Sequence, residues 1–298
     1  MPNPNIVKAD GSIEQFDPVR LHRSLVRAGA GEHMARTIAE TVSGTVRHGM
    51  RSHEIYQRAF QLLRKETRPV AARYALRRAL MELGPSGHPF EDFVARIFEK
   101  EGWHVEWRKM IQGTCVPHEV DIYAHKDGQT LAAELKYHNT LGYKTDVKVA
   151  LYVKARFEDI WSCDPAVRAC PVERGFLVTN TKFTSEAIVY ARCAGIELIG
   201  WGYPEHGNLY ERMCTTRVYP ITTLTRLKKS EKKLLIDAGV VSCDMLRERR
   251  DALTALKLSP SRVGAVLAET DALLELPHPY GTETEIYRHT SNEPRRRS

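Results

Sequence analysis

The stretch that most constrains this chain reads Pro117-His118-Glu119-Val120-Asp121-Ile122-Tyr123 and, after a short gap, Leu131-Ala132-Ala133-Glu134-Leu135-Lys136. Both pieces have strand character. Lys126-Asp127-Gly128-Gln129 between them carries the Asp-Gly signal of a tight hairpin. Side chains alternate across a strand, so Glu134 and Lys136 share one face and Leu135 takes the other. The hairpin brings Asp121 beside Glu134. Two carboxylates and one ammonium then converge, which is the set that metal-assisted phosphodiester hydrolysis needs. Carboxylate oxygens hold a hard cation such as Mg²⁺, and a lysine orients or deprotonates the attacking water. An acid and a lysine two apart also occur as a weak pair on a solvated strand face. Here, however, Leu131, Ala132 and Ala133 suit a buried strand, and charges at the end of such a strand are costly unless they are paired or bind something.

The surrounding pattern predicts the order α-β-β-β-α-β-α-β. A helix is expected over 89–101, with Phe90, Phe93, Val94, Ile97 and Phe98 on one side. A strand over 104–110 and the two hairpin strands follow. A helix over 146–161 is expected to turn Val147, Leu151, Ala155 and Phe157 inward. A buried strand over 175–179, a helix over 185–194 stopped by Gly195, and a last strand over 196–201 complete an α/β core with a mixed sheet.

In this order, residues 88 to 205 resemble the PD-(D/E)xK nucleases, in the branch of the Mrr-like, type IV restriction endonuclease catalytic domain. The residues carrying the resemblance are Phe90-Glu91 on the first helix, Asp121, and Glu134-x-Lys136. The resemblance implies that Asp121 and Glu134 bind a Mg²⁺ or Mn²⁺ ion together with the backbone carbonyl of Leu135. It further implies that Lys136 acts on the water and that Glu91, or Asp92 beside it, adds a contact. Val120 stands where the motif usually has proline.

A second resemblance covers residues 4 to 84. Val7-Lys8-Ala9-Asp10-Gly11-Ser12-Ile13-Glu14-Gln15-Phe16-Asp17, then Arg20-Leu21, a helical run, and Ala71-Ala72-Arg73-Tyr74-Ala75-Leu76 resemble an ATP-cone. This is the nucleotide-sensing module of ribonucleotide reductases and their repressor. A short hairpin at Asp10-Gly11 and an Asp17-Pro18 helix start agree with it. The resemblance implies that ATP or dATP binds through Lys8, Glu14, Arg20 and Ser52; Ala9 replaces the second member of the usual Lys-Arg pair. Residues 1–84 hold 14 Lys and Arg against 8 Asp and Glu, a balance of +6 within a chain total of +7. Most of the positive excess therefore sits where a polyphosphate would bind. A basic helical oligomerisation module is the alternative. No G-x-x-x-x-G-K-[ST] loop occurs, so the nucleotide is expected to be sensed and not spent.

A third, helical part is expected over 216–278. Ile221 to Leu224 opens it, a helix over 230–238 ends at Gly239, and helices over 243–256 and 259–274 follow, the last started by Ser259-Pro260. Its outline resembles helix-hairpin-helix DNA-binding modules; a plain packing or dimerisation domain is equally open. The chain turns polar after Pro277, and 279–298 is expected to be a disordered basic tail.

The domain boundaries read from the sequence are thus 1–84, 88–215 and 216–278, with 84–89 as the clearest linker. No 18-residue apolar run or signal peptide appears, so no membrane association and a cytoplasmic location are expected. The cysteines at 115, 163, 170, 193, 214 and 243 form no C-x-x-C, which argues for reduced, mostly buried thiols; Cys115 with His118 is a weak zinc pattern. The combined expectation is a nucleotide-regulated, metal-dependent DNA endonuclease that works as a homo-oligomer, with Lys144, Lys148 and Lys154 near the strand. The alternative is an ATP- or dATP-responsive nucleic-acid-binding regulator whose nuclease fold does not cut.

Overall fold

The computed structural model describes residues 3–140, 142–162 and 172–279. The contacts divide the chain into two units. One takes the chain up to Leu76, Thr223–Lys228 and the stretch from Leu258 onward; the other takes Arg77–Thr222 and Lys229–Lys257. The fold is mixed α/β, as the sequence predicts: helices with a small strand pair at the N-terminus, a central mixed sheet, and C-terminal helices.

In the first unit β1 (Asn5–Val7) and β2 (Ile13–Gln15) form an antiparallel ribbon. Its turn is closed by Lys8 N–H to the Ser12 carbonyl (2.8 Å) and by Gly11 at φ +82°, a conformation that glycine adopts without penalty. Asp17 caps α1 (Pro18–Arg27) by accepting from Val19 and Arg20 N–H, with Pro18 as the first helical residue. Next come α2 (Glu32–Ser43), α3 (Ser52–Glu66) and α4 (Arg68–Tyr74). Leu25, Ala35, Ile38, Val42, Ala59 and Leu63 recur at helical spacing and form one buried cluster.

In the second unit α5 (Leu76–Met81) leads to α6 (His88–Lys100), which buries the five apolar residues assigned to its inner side. The sheet consists of β3 (His104–Gln112), β4 (Pro117–Lys126), β5 (Gln129–Lys136), β7 (Arg174–Thr179) and β9 (Glu197–Ile199), in the order β3-β4-β5-β7-β9. The first three strands are antiparallel, and β5-β7-β9 are parallel. Asp127 (φ +50°) and Gly128 (φ +78°) make the predicted hairpin turn, both residues left-handed as a type I′ turn requires. A short parallel pair, β6 (Lys144–Thr145) with β8 (Lys182–Phe183), was not anticipated, nor was α9 (Leu209–Thr216).

Helix α7 (Val147–Trp161) starts at an Asp146 cap, and α8 (Ser185–Ala194) ends at Gly195 with φ +71°. The inner face of α7 differs from expectation. Ala150, Val153, Phe157 and Ile160 are buried, whereas Ala155 is exposed and Leu151 is 47% exposed. The observed face takes Ala150 in place of the neighbouring Leu151, and Phe157 lies on it as expected. Phe157 is buried close against β7: a Cβ on Gly175 would lie 2.7 Å from its ring.

The C-terminal helices, read from the sequence as one segment, are shared between the two units. In the second unit α10 (Lys229–Asp237) and α11 (Cys243–Glu248) are followed by a 3₁₀ segment, Arg250–Leu256. The single helix expected over 243–256 therefore breaks. The chain bends at Arg249 (φ −114°, ψ 59°), whose Nη1 donates to the Ala238 carbonyl (3.3 Å), and both Leu246 and Leu253 reach the core. In the first unit α12 (Pro260–Leu274) carries Glu269, whose buried carboxylate accepts from Thr225 N–H (2.9 Å), Thr225 Oγ1 (2.5 Å) and Arg226 N–H (2.9 Å). Arg73, 1% exposed, donates to the Pro277 carbonyl (2.7 Å). The tail expected over 279–298 lies outside the described residues beyond 279, as do Cys163 and Cys170. Of the remaining cysteines, Cys115 and Cys193 are exposed while Cys214 and Cys243 are buried. No helix among the described residues is long and apolar enough to cross a membrane.

Candidate active site

The register of β4 on β5 pairs Ile122 with Ala133, so the next opposed positions are Asp121 and Glu134. Regular pairing stops there. Leu135 N–H donates instead to Asp121 Oδ2 (2.6 Å), which fixes the aspartate at the point where the strands part. N–H and carbonyl of one residue in an extended strand point the same way across an antiparallel edge. The Leu135 carbonyl is thereby directed towards the Asp121 side. Lys136 follows with its side chain exposed, and no hydrogen bond engages its ammonium among the described residues.

The end of β5 is held from below. Thr179 Oγ1 donates to the Lys136 carbonyl (2.7 Å). Asn180, fully buried, accepts from His138 N–H (2.9 Å) and donates to its carbonyl (2.7 Å). Tyr137 Oη donates to the Met81 carbonyl (2.7 Å), and its ring lies 5.7 Å from that of Phe90. The strand segment that carries Lys136 is thus fixed in place, while the lysine tip is free.

Glu91 lies in the first turn of α6, where the helix dipole favours an anion. Its carboxylate accepts from Arg108 Nε (3.1 Å), and the same guanidinium reaches Asp92 Oδ1 (3.3 Å). Glu91 is 13% exposed and Asp92 39%, and Glu91 is the one that feels the charge of Asp121. Arg108 itself has φ +48° and stands opposite Asp121, at the one position where β3 and β4 do not pair between Trp107–Ile122 and Lys109–Val120. A left-handed arginine inside a strand is a strained conformation, and such strain collects at functional sites.

Electrostatics binds the three acids into one group. Burial, then the Asp121 charge, pushes Glu134 up to about 7. Burial also raises Asp121, and burial followed by Asp121 raises Glu91. Three partly buried carboxyl groups whose charges raise one another's pKa favour the approach of positive charge. Among the described residues that charge comes from Arg108 on Glu91 and from Arg156 of α7, whose Nη1 makes an ion pair with Glu134 Oε2. Among the described residues no three His, Cys, Asp or Glu side chains close on one point as a metal cage. The donors available to a cation are two carboxylates and a main-chain carbonyl, all hard oxygens that suit Mg²⁺ or Mn²⁺.

Family models match three stretches of the chain: "ATP cone domain" over residues 4–82, "Restriction endonuclease", the Mrr catalytic type, over 84–201, and "AF1548-like, C-terminal" over 219–274. An uncharacterized protein of Archaeoglobus fulgidus is 35% identical over 182 residues, which cover 61% of this chain and 99% of the relative. This chain belongs to the AF1548-like family. A solved structure titled "Crystal Structure of Protein of Unknown Function AF1548" is 33% identical with a TM-score of 0.50, covering 63% of this chain and 98% of that one. The AF1548-like chain described here thus carries an ATP-cone and a restriction-endonuclease-like domain.

In the cone of this AF1548-like protein, Lys8 Nζ (2.7 Å) and Arg20 Nη1 (3.1 Å) meet on the same oxygen, Glu14 Oε1. Hydrogen bonding from Lys8 holds the Glu14 carboxyl below its usual range. Val7 N–H donates to the Met50 carbonyl (3.0 Å), and Val7 bridges to Arg51, which sets Ser52 and the start of α3 against the ribbon. The hairpin and the first turn of α1 thereby bring Lys8, Glu14 and Arg20 together, and Ser52 opens α3 next in sequence to the Arg51 bridge.

The remaining candidates separate. Lys144 and Lys148 are exposed, whereas Lys154 is engaged with Glu158 (3.5 Å) and with the Trp161 ring (5.0 Å). Among the described residues His118 belongs to no group of three His, Cys, Asp or Glu that could hold a metal ion. Its Nε2 meets Asp159 Oδ2 (2.7 Å), and Asp159 also accepts from Cys115 and Val116 N–H (2.6 and 3.2 Å), clamping the β3–β4 loop to α7. Sequence reasoning missed Arg156, Arg108, Thr179 and Asn180. Backbone strain marks out Arg108, burial marks out Thr179 and Asn180, and the ion pair with Glu134 marks out Arg156; none of these is visible in the order of residues.

Proposed function

We propose that this protein is a nucleotide-regulated, divalent-metal-dependent endonuclease that hydrolyses DNA phosphodiester bonds, in defence or repair. The observation that carries this reading is the opposition of Asp121 and Glu134 where β4 and β5 part, with Leu135 N–H on Asp121 and Lys136 next in line. The restriction-endonuclease match over 84–201 supports it. Asp121, Glu134 and the Leu135 carbonyl would hold the cation, and the mutual repulsion of the unliganded acids fits that role. When bound, a divalent ion supplies Lewis acidity at a phosphoryl oxygen and lowers the pKa of a water.

The chain's own residues do the rest. Lys136, on the Glu134 side of β5, orients a water and offsets charge that builds on the phosphate oxygens. Glu91 adds a third acid, held by Arg108. Arg156 and the exposed Lys144 and Lys148 supply positive charge for the backbone of the DNA. In the cone, ATP or dATP phosphates would draw Lys8 and Arg20 away from Glu14, which is then free for the ribose or base. A second reading, a nucleotide-responsive DNA-binding regulator that does not cut, is favoured by one observation: Arg156 already occupies an oxygen of Glu134. Supercoiled plasmid incubated with Mg²⁺ or Mn²⁺, against an EDTA control and the D121A protein, separates the two. Metal-dependent nicking that D121A abolishes supports the endonuclease; intact plasmid in every lane leaves the regulator.

A further inference from the structure

Arg156 is held from three directions. Nη1 donates to Glu134 Oε2 and also to the main-chain carbonyl of Glu119 on β4 (3.0 Å). Nη2 donates to the hydroxyl of Tyr152, one turn earlier on α7 (2.5 Å), and the guanidinium carbon lies 5.0 Å from the centroid of that ring. Nε makes no hydrogen bond among the described residues. The side chains of Arg156 and Glu134 are 17% and 18% exposed, so this ion pair is only weakly screened by water. Helix α7 is fixed beneath it by Phe157, fully buried against β7, and by its Asp146 cap. The arrangement is a built one: a strand carbonyl, a helix side chain and an acid all converge on one cation.

A cation binding between Asp121 and Glu134 meets the Arg156 charge on the same carboxylate. Like charges in a partly buried site oppose each other more strongly than the loss of one side chain's ordering costs. A phosphodiester oxygen arriving at the site offers the guanidinium a second anion, and arginine is well shaped for it. We propose that Arg156 is a positioning residue, a latch on Glu134 that weakens cation binding until a DNA phosphate draws it off. The inference rests on the nuclease reading for both the cation site and the phosphate. It makes cation and DNA binding mutually reinforcing, and by linkage the reinforcement is equal in both directions.

The test uses the full chain and Mn²⁺, followed by the paramagnetic resonance signal of the free ion, with and without a short phosphorothioate duplex. Wild type should bind Mn²⁺ about tenfold more tightly in the presence of the duplex. R156Q should bind Mn²⁺ about tenfold more tightly than wild type without DNA, show little further gain with it, and cut plasmid more slowly. A merely structural arginine would lower both binding and cutting. R156K keeps the charge and should keep Mn²⁺ affinity close to wild type. Y152F removes one of the three holds at a residue that is 59% exposed, where the fold tolerates change. It should tighten Mn²⁺ binding by about two- to fivefold, so the latch stays testable even if R156Q unfolds. Unchanged or weaker Mn²⁺ binding in a folded R156Q or in Y152F overturns the latch. Wild type that binds Mn²⁺ as expected but never nicks DNA overturns the nuclease reading alone.

Discussion

At the scale of single residues, the proposed reading gives the three acids and Lys136 different work, and substitution should separate them. Asp121→Ala, Glu134→Ala and Lys136→Ala should each abolish cleavage. The first two should also lose Mn²⁺ binding, while the third keeps it, because an ammonium is not a metal ligand. Calorimetry beside a nicking assay checks this; wild-type cutting by any of the three, in protein free of contaminating nuclease, removes the assignment. The metal-free acids also predict a pH dependence of stability. Glu134 is raised from 4.5 to about 7 by burial and by Asp121. A raised carboxyl contributes stability that is complete below the unfolded value and is lost as pH rises through the folded one. In EDTA, melting temperature should therefore fall between about pH 4.5 and about pH 7, with the group responsible for at most about 3 kcal/mol. E134Q should flatten the fall and Mg²⁺ should offset it above pH 7. A melting curve as steep in E134Q as in wild type would show that another group is responsible.

At the scale of elements, α7 is the piece on which the proposed latch depends, because it carries Arg156 and its register against β7 decides what it turns inward. Gly175 permits that register. A methyl group there would sit 2.7 Å from Phe157 and 2.8 Å from Trp161. Gly175→Ala should cost about 1–3 kcal/mol by overpacking. It should also displace α7, lowering cleavage more than binding of DNA by the surface lysines. Urea melts and a split between kcat and KM measure both effects. A G175A protein with wild-type stability would mean that α7 is loosely seated. Glu134 and Lys136 share a face by simple strand alternation, but it is Asn180 and Thr179 below them that keep the end of β5 in place.

For the whole molecule, the question is whether the two matched modules speak to each other. Lys8 and Arg20 share one carboxylate oxygen, so a polyphosphate that takes both must break two ion pairs while forming stronger charge-assisted contacts. ATP or dATP should bind the full chain, and Lys8→Ala with Arg20→Ala should weaken binding by at least about a hundredfold if each contact is worth about 1.5–3 kcal/mol. The cone and the nuclease-like domain are matched at 4–82 and 84–201, with almost no chain between them. So short a tether cannot insulate them as a long flexible linker would. Cutting both strands of a duplex at once takes one metal centre per strand, so nucleotide that repacks the cones should change oligomeric state and nicking rate together. Light scattering and nicking measured across one nucleotide titration check this. Tight binding that moves neither quantity would show that the cone does not regulate the site.

What the order of residues determined by itself is everything that short-range patterns encode. Asp127-Gly128 specified the hairpin, and with it the opposition of Asp121 to Glu134. Asp17-Pro18, Asp146 and Ser259-Pro260 specified helix starts, and the Phe90 to Phe98 stripe specified the inner side of α6. These signals work over a few residues, where turn sterics, capping and alternation leave few choices. The sequence pointed to Leu151 and Ala155 on the inner face of α7, because Leu151 and Ala150 are both apolar, one residue apart, and local pattern does not separate them. Packing turned Ala150 and Val153 inward beside the expected Phe157, left Leu151 47% exposed, and placed Arg156 on Glu134, 22 residues away in the chain. The strained Arg108, the division of the C-terminal helices between two units, and the Asp159 clamp on the β3–β4 loop have the same origin. Each pairs residues brought together by the burial of other side chains, and no local pattern carries that information.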